Sequence, residues 1–180
     1  MRVFIGYAGV HGSTRGVAER LAAALRRHEH KVVLASLAPG VDVHGFDVLV
    51  IGSAVHDGRW LPEAAEFVRQ NTDELARRRV WLFSVSLLGD RGSAFRPGMA
   101  RRLRRMRSRH SHGRPVDLWT IKPLGHRDFA GAVAREHWPL VGRVVFRAMG
   151  GRFGDHRDWA DIDDWAERIA SSLTTEDRET

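Results

Sequence analysis

Short apolar segments alternate along this chain with longer segments whose apolar residues recur at helical spacing. The short segments are rich in β-branched and aromatic residues, which is typical of buried strands. They occupy residues 2–7, 31–36, 47–52 and 80–86. A fifth and weaker segment predicts a strand near Asp128–Val133. Alternation of strands and helices with short connections predicts one parallel sheet that helices cover on both faces.

Five helices are predicted between and after these strands. The first spans residues 14–28 and has an apolar face at helical spacing. A second runs from Pro62, whose fixed φ suits a first helical turn, to about residue 77. The others begin near residues 97, 139 and 159. We expect Met99, Leu103 and Met106 to face inward, and Asp158 to cap the last helix. Residues 111–125 are predicted as loop or edge structure.

The length of 180 residues suits one domain, predicted over residues 1–173, with a polar tail at 174–180. The absence of cysteine excludes disulfides, thiolate metal sites and cysteine nucleophiles. The ten histidines form no pair at a metal-binding spacing, so we expect no metal. No targeting segment and no apolar stretch of about 20 residues is present, which favours a cytoplasmic location.

The net charge of +7 comes almost entirely from arginine. Seven arginines fall within fourteen residues, and such a cluster attracts phosphates, carboxylates or an anionic membrane surface. They are Arg101, Arg102, Arg104, Arg105, Arg107, Arg109 and Arg114, with His110 and His112 among them. Peripheral contact with an anionic membrane is therefore one expectation for this chain.

The loop after the first strand has the composition of a phosphate site. Glycines let the backbone approach an anion, and the following helix offers free N–H groups and the positive end of its dipole. Its residues are Gly9, Val10, His11, Gly12, Ser13 and Thr14. A nucleotide P-loop would require a lysine where Gly12 stands. A dinucleotide fingerprint would require a different glycine spacing and an acid at the end of the second strand.

The loops after the third and fourth strands meet the first one at the carboxyl edge of such a sheet, where ligands bind. The candidate residues of the first of these are Ser53, Ala54, Val55, His56, Gly58 and Trp60. Those of the other are Ser86, Leu87, Leu88, Gly89 and Asp90. The rings of His56 and Trp60 are flat groups that suit stacking on a planar ligand. A core anchor is an equally good interpretation of Trp60, and a solvated loop residue remains an alternative for His56.

Three motifs together resemble the flavin loops of flavodoxin-domain proteins, in the branch of menaquinone-dependent protoporphyrinogen IX dehydrogenase. They are residues 7–14, residues 52–62, and residues 81–84 with 88–90. The resemblance implies a flavodoxin-like three-layer sandwich with five parallel strands in the order 2-1-3-4-5. It also implies FMN as the cofactor, held by the loop residues named above. Members usually carry a hydroxyl residue in place of Gly9 and an aromatic residue in place of His56, and both departures weaken the expected flavin contacts.

The resemblance implies an FMN-dependent oxidoreductase that passes electrons from a porphyrinogen, or another small redox substrate, to a quinone. Because the flavin performs the redox chemistry, no side chain is predicted as catalytic. Two alternatives stay open, namely an NAD(P)H-quinone reductase of the same fold and a flavodoxin-fold binding protein that has lost flavin. A homodimer is compatible with these interpretations, and nucleic acid is not an expected partner of the enzyme.

Overall fold

The computed structural model describes residues 1–109 and 121–176. Its centre is a sheet of five parallel strands in the order β2-β1-β3-β5-β6, and a two-residue strand, β4, pairs antiparallel with β3. The strands are β1 (Arg2–Ala8), β2 (Lys31–Ser36), β3 (Val48–His56), β4 (Arg59–Trp60), β5 (Arg79–Ser86) and β6 (Gly125–Ala130). The predicted three-layer fold and the order of its five parallel strands are confirmed.

The helices and the two short strands beyond β6 complete the described chain. The helices are α1 (Ser13–Arg27), α2 (Pro62–Gln70), α3 (Thr72–Arg77), α4 (Pro97–Arg109), α5 (Leu140–Ala148) and α6 (Trp159–Glu176). The short strands β7 (Ala132–Val133) and β8 (Gly154–Asp155) pair with each other in antiparallel fashion, and a 3-10 turn spans Arg135–His137.

The second predicted helix and the fifth parallel strand differ from the sequence prediction. The single helix predicted over residues 62–77 is wrong, because the chain leaves helical geometry at Asn71, whose side-chain Nδ2 donates to the carbonyl oxygen of Phe67 at 2.9 Å. The strand predicted at Asp128–Val133 is also misplaced. It runs from Gly125 to Ala130, and the N–H of Gly131 still donates to the carbonyl oxygen of Ser86 at 2.8 Å. The chain leaves the sheet only beyond this residue, where Ala132–Val133 pair with β8. Residues 111–120, predicted as loop or edge, lie outside the described residues.

Two apolar cores sit on the two faces of the sheet. On one face α1 and α6 pack over the strands, and the predicted apolar face of α1 is fully buried. The α6 side chains Ile162, Trp165, Ile169 and Leu173 meet it, as their helical spacing predicted. The second core lies under α2 and α3 and includes Phe4, Phe67 and Leu75. Asp158 caps α6 as predicted, since its Oδ1 accepts the N–H of Asp161 at 3.0 Å.

A third apolar cluster, separate from both sheet cores, joins the chain after β5 to the chain after β6. Its buried members are Leu88, Ala94, Phe95, Ala100, Val133 and Phe146. Met99 and Leu103 of α4 pack against it, but the prediction that Met106 faces inward is wrong, because its side chain is exposed. Phe146 is the one buried residue of α5, so this helix is attached to the domain at a single large side chain.

The C-terminal helix α6 extends through Glu176, three residues into the stretch predicted as a polar tail, and residues 177–180 lie outside the described residues. Among the helices that the structure describes, none is both long and apolar enough to cross a bilayer.

Candidate functional site

The carboxyl ends of the parallel strands bring the predicted site loops to one edge of the sheet. The loop after β1 meets the chain after β6, because the N–H of Ala132 donates to the hydroxyl oxygen of Ser13 at 2.9 Å. The chain after β6 also contacts the loop after β5, through the bond from Gly131 to Ser86. Gly131 is not among the site residues that the sequence predicts. A Cβ there would lie 2.7 Å from the Ser13 oxygen, so only glycine allows this approach.

The loop after β1 is open. Gly12 has φ 76° and ψ −11°, a left-handed conformation that suits glycine. It leads into α1 without any side-chain cap, and the first turn of α1 carries no acidic residue. Residues 9–12 are exposed. The first N–H groups of α1 and the positive end of its dipole therefore face an uncovered glycine loop, which is the arrangement that binds phosphate.

The two hydroxyl residues of this loop have different surroundings. Ser13 is partly exposed, and its oxygen already accepts the N–H of Ala132, which leaves its hydroxyl hydrogen to donate. Thr14 is 1% exposed and is turned against Gly9. A Cβ placed on Gly9 would lie 2.7 Å from the Thr14 hydroxyl oxygen. The glycine that departs from the family pattern is therefore matched to the position of Thr14 in this chain.

The segment after the predicted third strand forms a hairpin and not an open loop. The prediction that β3 ends at residue 52 is wrong, because Ser53, Ala54, Val55 and His56 continue it. Pairing with β4 extends the strand, and the turn between them has left-handed φ at Asp57 (49°) and Gly58 (76°). Two such residues in succession are typical of a tight two-residue hairpin. The hairpin carries His56 to its tip, where its ring is exposed.

Two predicted residues of this segment hold the hairpin in place. The Trp60 side chain is 6% exposed, and its Nε1–H donates to Ser84 Oγ at 2.8 Å. Ser84 Oγ in turn lies 2.9 Å from Nε2 of His126 on β6. Ser53 is fully buried and accepts the N–H of Leu61 at 3.0 Å. The structure therefore gives Trp60 the core-anchor role, and its ring does not reach the loop surface.

The loop after β5 is closed by its own hydrogen bonds. Ser86 Oγ donates to the carbonyl of Leu88 at 3.0 Å and accepts the N–H of Leu88 at 3.1 Å. The N–H of Asp90 donates to Asp128 at 2.7 Å, and the Asp90 carboxylate accepts the N–H of Asp128. A Cβ on Gly89 would lie 2.3 Å from the backbone nitrogen of Ala130. Leu87 and Leu88 pack into the third apolar cluster.

Arg104 fixes this closed loop, a role that the sequence analysis missed. Its guanidinium donates to the carbonyl oxygens of Gly89 at 3.0 Å, Arg91 at 2.8 Å and Gly92 at 3.0 Å. The prediction treated every arginine of the cluster as part of one surface field. Helical spacing indicates that Arg104 differs from the other arginines. It stands four residues after Ala100, which is buried, and next to Leu103, so it lies on the inward side of α4.

Ion pairs attach the loop after β5 to α6. Asp161, which is buried, is contacted by Arg127 of β6 and by Arg91 Nε at 3.3 Å. Arg91 Nη1 also donates to Asp164 at 2.8 Å. The hydrogen bond with Asp164, and then the charge of Asp161, raise the pKa of Arg91 above its usual range. These charges lie behind the loop and position it.

Comparison with known proteins identifies the family. The family model described as a flavodoxin domain matches residues 4–151. The chain belongs to the flavodoxin domain family. The search of curated proteins finds no match. Family membership supports the predicted cofactor, FMN, whereas nothing in the comparisons supports the narrower resemblance to protoporphyrinogen IX dehydrogenase.

Solved structures share the fold of this flavodoxin domain. A flavodoxin from the domain Archaea superposes with a TM-score of 0.55 at 13% identity, covering 97% of this chain and 99% of that one. Oxidised flavodoxin 1 from Bacillus cereus gives 0.54 at 11% identity, with coverage of 95% and 98%. The rubredoxin:oxygen oxidoreductase of Desulfovibrio gigas gives 0.54 at 16% identity over 97% of this chain. The match spans only 36% of that longer protein, so it shows the fold alone.

Proposed function

We propose that this flavodoxin domain binds FMN and is an FMN-dependent oxidoreductase. The uncapped N-terminus of α1 behind an exposed glycine loop is the observation that carries the proposal. The N–H groups of the first turn and the Ser13 hydroxyl would bind the phosphate. The His56 hairpin and the loop at Leu87–Asp90 flank the same edge and would hold the ring. When bound, the flavin supplies electron transfer between a donor and an acceptor.

The substrate class that we propose is a porphyrinogen, with a quinone as the electron acceptor, as in protoporphyrinogen IX dehydrogenase. The side chains of Arg101, Arg102 and Arg105 lie on the exposed side of α4. Guanidinium groups pair well with carboxylates such as the two propionates of a porphyrinogen. We propose a cytoplasmic location for this activity. The chain's own contribution is to orient the ring and to attract the anionic substrate.

Titration of apoprotein with FMN and with riboflavin tests the site. The two ligands share the ring and differ in the phosphate, so a site built on the α1 N-terminus should bind FMN at least tenfold more tightly, the effect of about one charge-assisted hydrogen bond. Equal affinities would show that the open loop is not a phosphate site. No binding of either ligand would reject the proposal.

Anaerobic reduction of FMN-loaded protein tests the substrate. We expect protoporphyrinogen IX to bleach the flavin absorbance, and a menaquinone analogue to restore it. Bleaching by NADPH and not by the porphyrinogen would favour the NAD(P)H-quinone reductase. The double variant Arg102→Gln with Arg105→Gln tests the proposed role of the arginines and should raise the KM for the porphyrinogen. Its affinity for FMN is the control measurement and should be unchanged.

One observation favours a second candidate, a flavodoxin-fold binding protein without flavin. Within the three described loops the single tryptophan, Trp60, is buried, and no tyrosine is present. The exposed rings there are the two imidazoles of His11 and His56. A colourless purified protein that does not bind added FMN would decide for this candidate.

A further inference from the structure

Helix α5 turns its apolar side chains outward. Five large apolar side chains on one side of the helix and at its end are between 51% and 75% exposed. They are Leu140, Val141, Val144, Val145 and Met149, and we call them the α5 apolar face. The opposite side is held by Phe146, which stacks on Trp138 with ring centroids 5.1 Å apart. Exposed apolar patches of this kind mark interaction sites.

The two helices that meet at the α5 apolar face, α5 and α4, carry only positive charges, and Glu136 of the preceding 3-10 turn is an exposed acidic residue nearby in the chain. α5 itself contains Arg143 and Arg147 and no acidic residue. Its end meets the start of α4, because the N–H of Arg96 donates to the carbonyl of Gly150 at 3.0 Å. α4 also contains no acidic residue, and its exposed arginines include Arg101, Arg102 and Arg105. An apolar face bordered by arginines is complementary to a surface that is apolar inside and anionic outside.

We infer that the α5 apolar face docks on an anionic lipid surface. The five side chains enter the boundary between headgroups and acyl chains, while Arg147 and the exposed arginines of α4 contact lipid phosphates. This contact does not require flavin. It brings the loop after β5 close to the bilayer, since Leu88 of that loop and Phe146 of α5 share one apolar cluster.

A second copy of the chain is a poorer occupant of the same face. A helix of this length is only about 14 Å long. One side of it is too short to supply the roughly 800 Å² per partner that a standard protein interface buries. Two such faces would also bring the arginines of both copies together without acidic partners in α5. Both arguments favour lipid over self-association.

Sedimentation with vesicles tests this inference. The vesicles are phosphatidylcholine alone, or equal parts of phosphatidylcholine and phosphatidylglycerol. We expect binding to the anionic vesicles at low salt, weaker binding at physiological salt, and little binding to the neutral ones. The pair Val141→Gln and Val144→Gln should lower the partition coefficient about tenfold. Arg102→Gln and Arg147→Gln should each lower it about fivefold.

The control is Val33→Gln, an exposed valine on the edge strand β2, which should bind vesicles like the wild type. Leu140→Gln with Val145→Gln is a second apolar pair, should the first pair reduce folded protein. Three outcomes would overturn the inference. They are no binding of the wild type at low salt, binding that both apolar pairs of substitutions leave unchanged, and a dimer in light scattering that these pairs dissociate. Because apoprotein and FMN-loaded protein should bind equally, failure here is distinct from failure of the proposed function.

Discussion

The loops after β1 and after β5 both carry glycine at the same edge of the sheet, and the structure uses those glycines for opposite purposes. Gly12 lies in the left-handed region with no atom within 4 Å of a Cβ placed on it, so it leaves the amides of α1 uncovered. Gly89 lets the loop close on β6, where a Cβ would meet backbone. A glycine-rich loop can therefore bind a phosphate only where its N–H groups remain available.

The two loops are also held in different ways. The closed loop is fixed locally by Ser86, by the Asp90–Asp128 bonds and by Arg104. The open loop has few bonds of its own, and its position comes from α1, whose apolar face is buried against the sheet and α6. A loop positioned by the packing of its helix can keep its donors free for a ligand.

The largest expected effect comes from adding one methyl group to each loop. Gly89→Ala should lower the free energy of unfolding by about 3 kcal/mol, because the new Cβ cannot move away from the Ala130 backbone. Gly12→Ala is the matched control and should cost only about 1 kcal/mol, the strain of a left-handed residue with open space around it. Urea unfolding measures both. Equal losses would remove the distinction between the loops.

The next effect concerns the guanidinium that closes the second loop. Arg104→Met should cost about 2 kcal/mol in urea unfolding, because three carbonyl oxygens lose their donor. Arg102→Met is the control on the exposed side of the same helix and should change stability by no more than about 0.5 kcal/mol. If both variants behave alike, Arg104 belongs to the surface field, as the sequence analysis had assumed.

Sequence periodicity predicted the parts of the molecule that face the sheet. The buried faces of α1 and α6 follow from apolar residues at helical spacing, and the strand order follows the expected fold. The hairpin has a local signal, because Asp57-Gly58 is a strong two-residue turn sequence, but the same glycine-containing segment also fits the ligand loop that the sequence predicts there. The sequence does not indicate that the apolar side chains of α5 face solvent. Periodicity shows which residues share one face of a helix, but it does not show whether that face packs on the core or is exposed.

A smaller effect separates the two hydroxyls of the open loop. Ser13→Ala should weaken FMN binding about tenfold, by about 1.4 kcal/mol, because its hydroxyl hydrogen is free to donate to a phosphate oxygen. Thr14→Val keeps the side-chain shape and should weaken binding less, since the Thr14 hydroxyl is turned against Gly9. Fluorescence titration of apoprotein with FMN compares them. A larger effect at Thr14 would show that the loop rearranges around the phosphate.

The smallest expected effect concerns the ion pair between α1 and α6, which helps to position the open loop. Arg20 of α1 donates to both carboxylate oxygens of Asp163 on α6, at 2.7 and 2.6 Å. The hydrogen bond from Arg20, and then the charges of Arg20 and Arg27, lower the pKa of Asp163 against the opposing effect of its burial. Because the folded-state pKa lies below the unfolded one, the pair contributes stability above the unfolded pKa of about 4 and loses it as the pH falls through the folded value.

Asp163→Asn should therefore lower the Tm by about 2 °C at pH 7, which is the effect expected of a solvent-screened ion pair in a domain of this size. Once the pH lies below both the folded-state and the unfolded-state pKa of Asp163, the substitution should not change the Tm. Added salt should shrink the difference at pH 7. Glu19→Gln is the control, because its partner Arg15 lies on the same helix and the pair joins no other element. FMN affinity should fall slightly with Asp163→Asn and stay constant with Glu19→Gln. A change in affinity as large as that of Ser13→Ala would mean that the contact between α1 and α6, and not the open amides alone, determines binding.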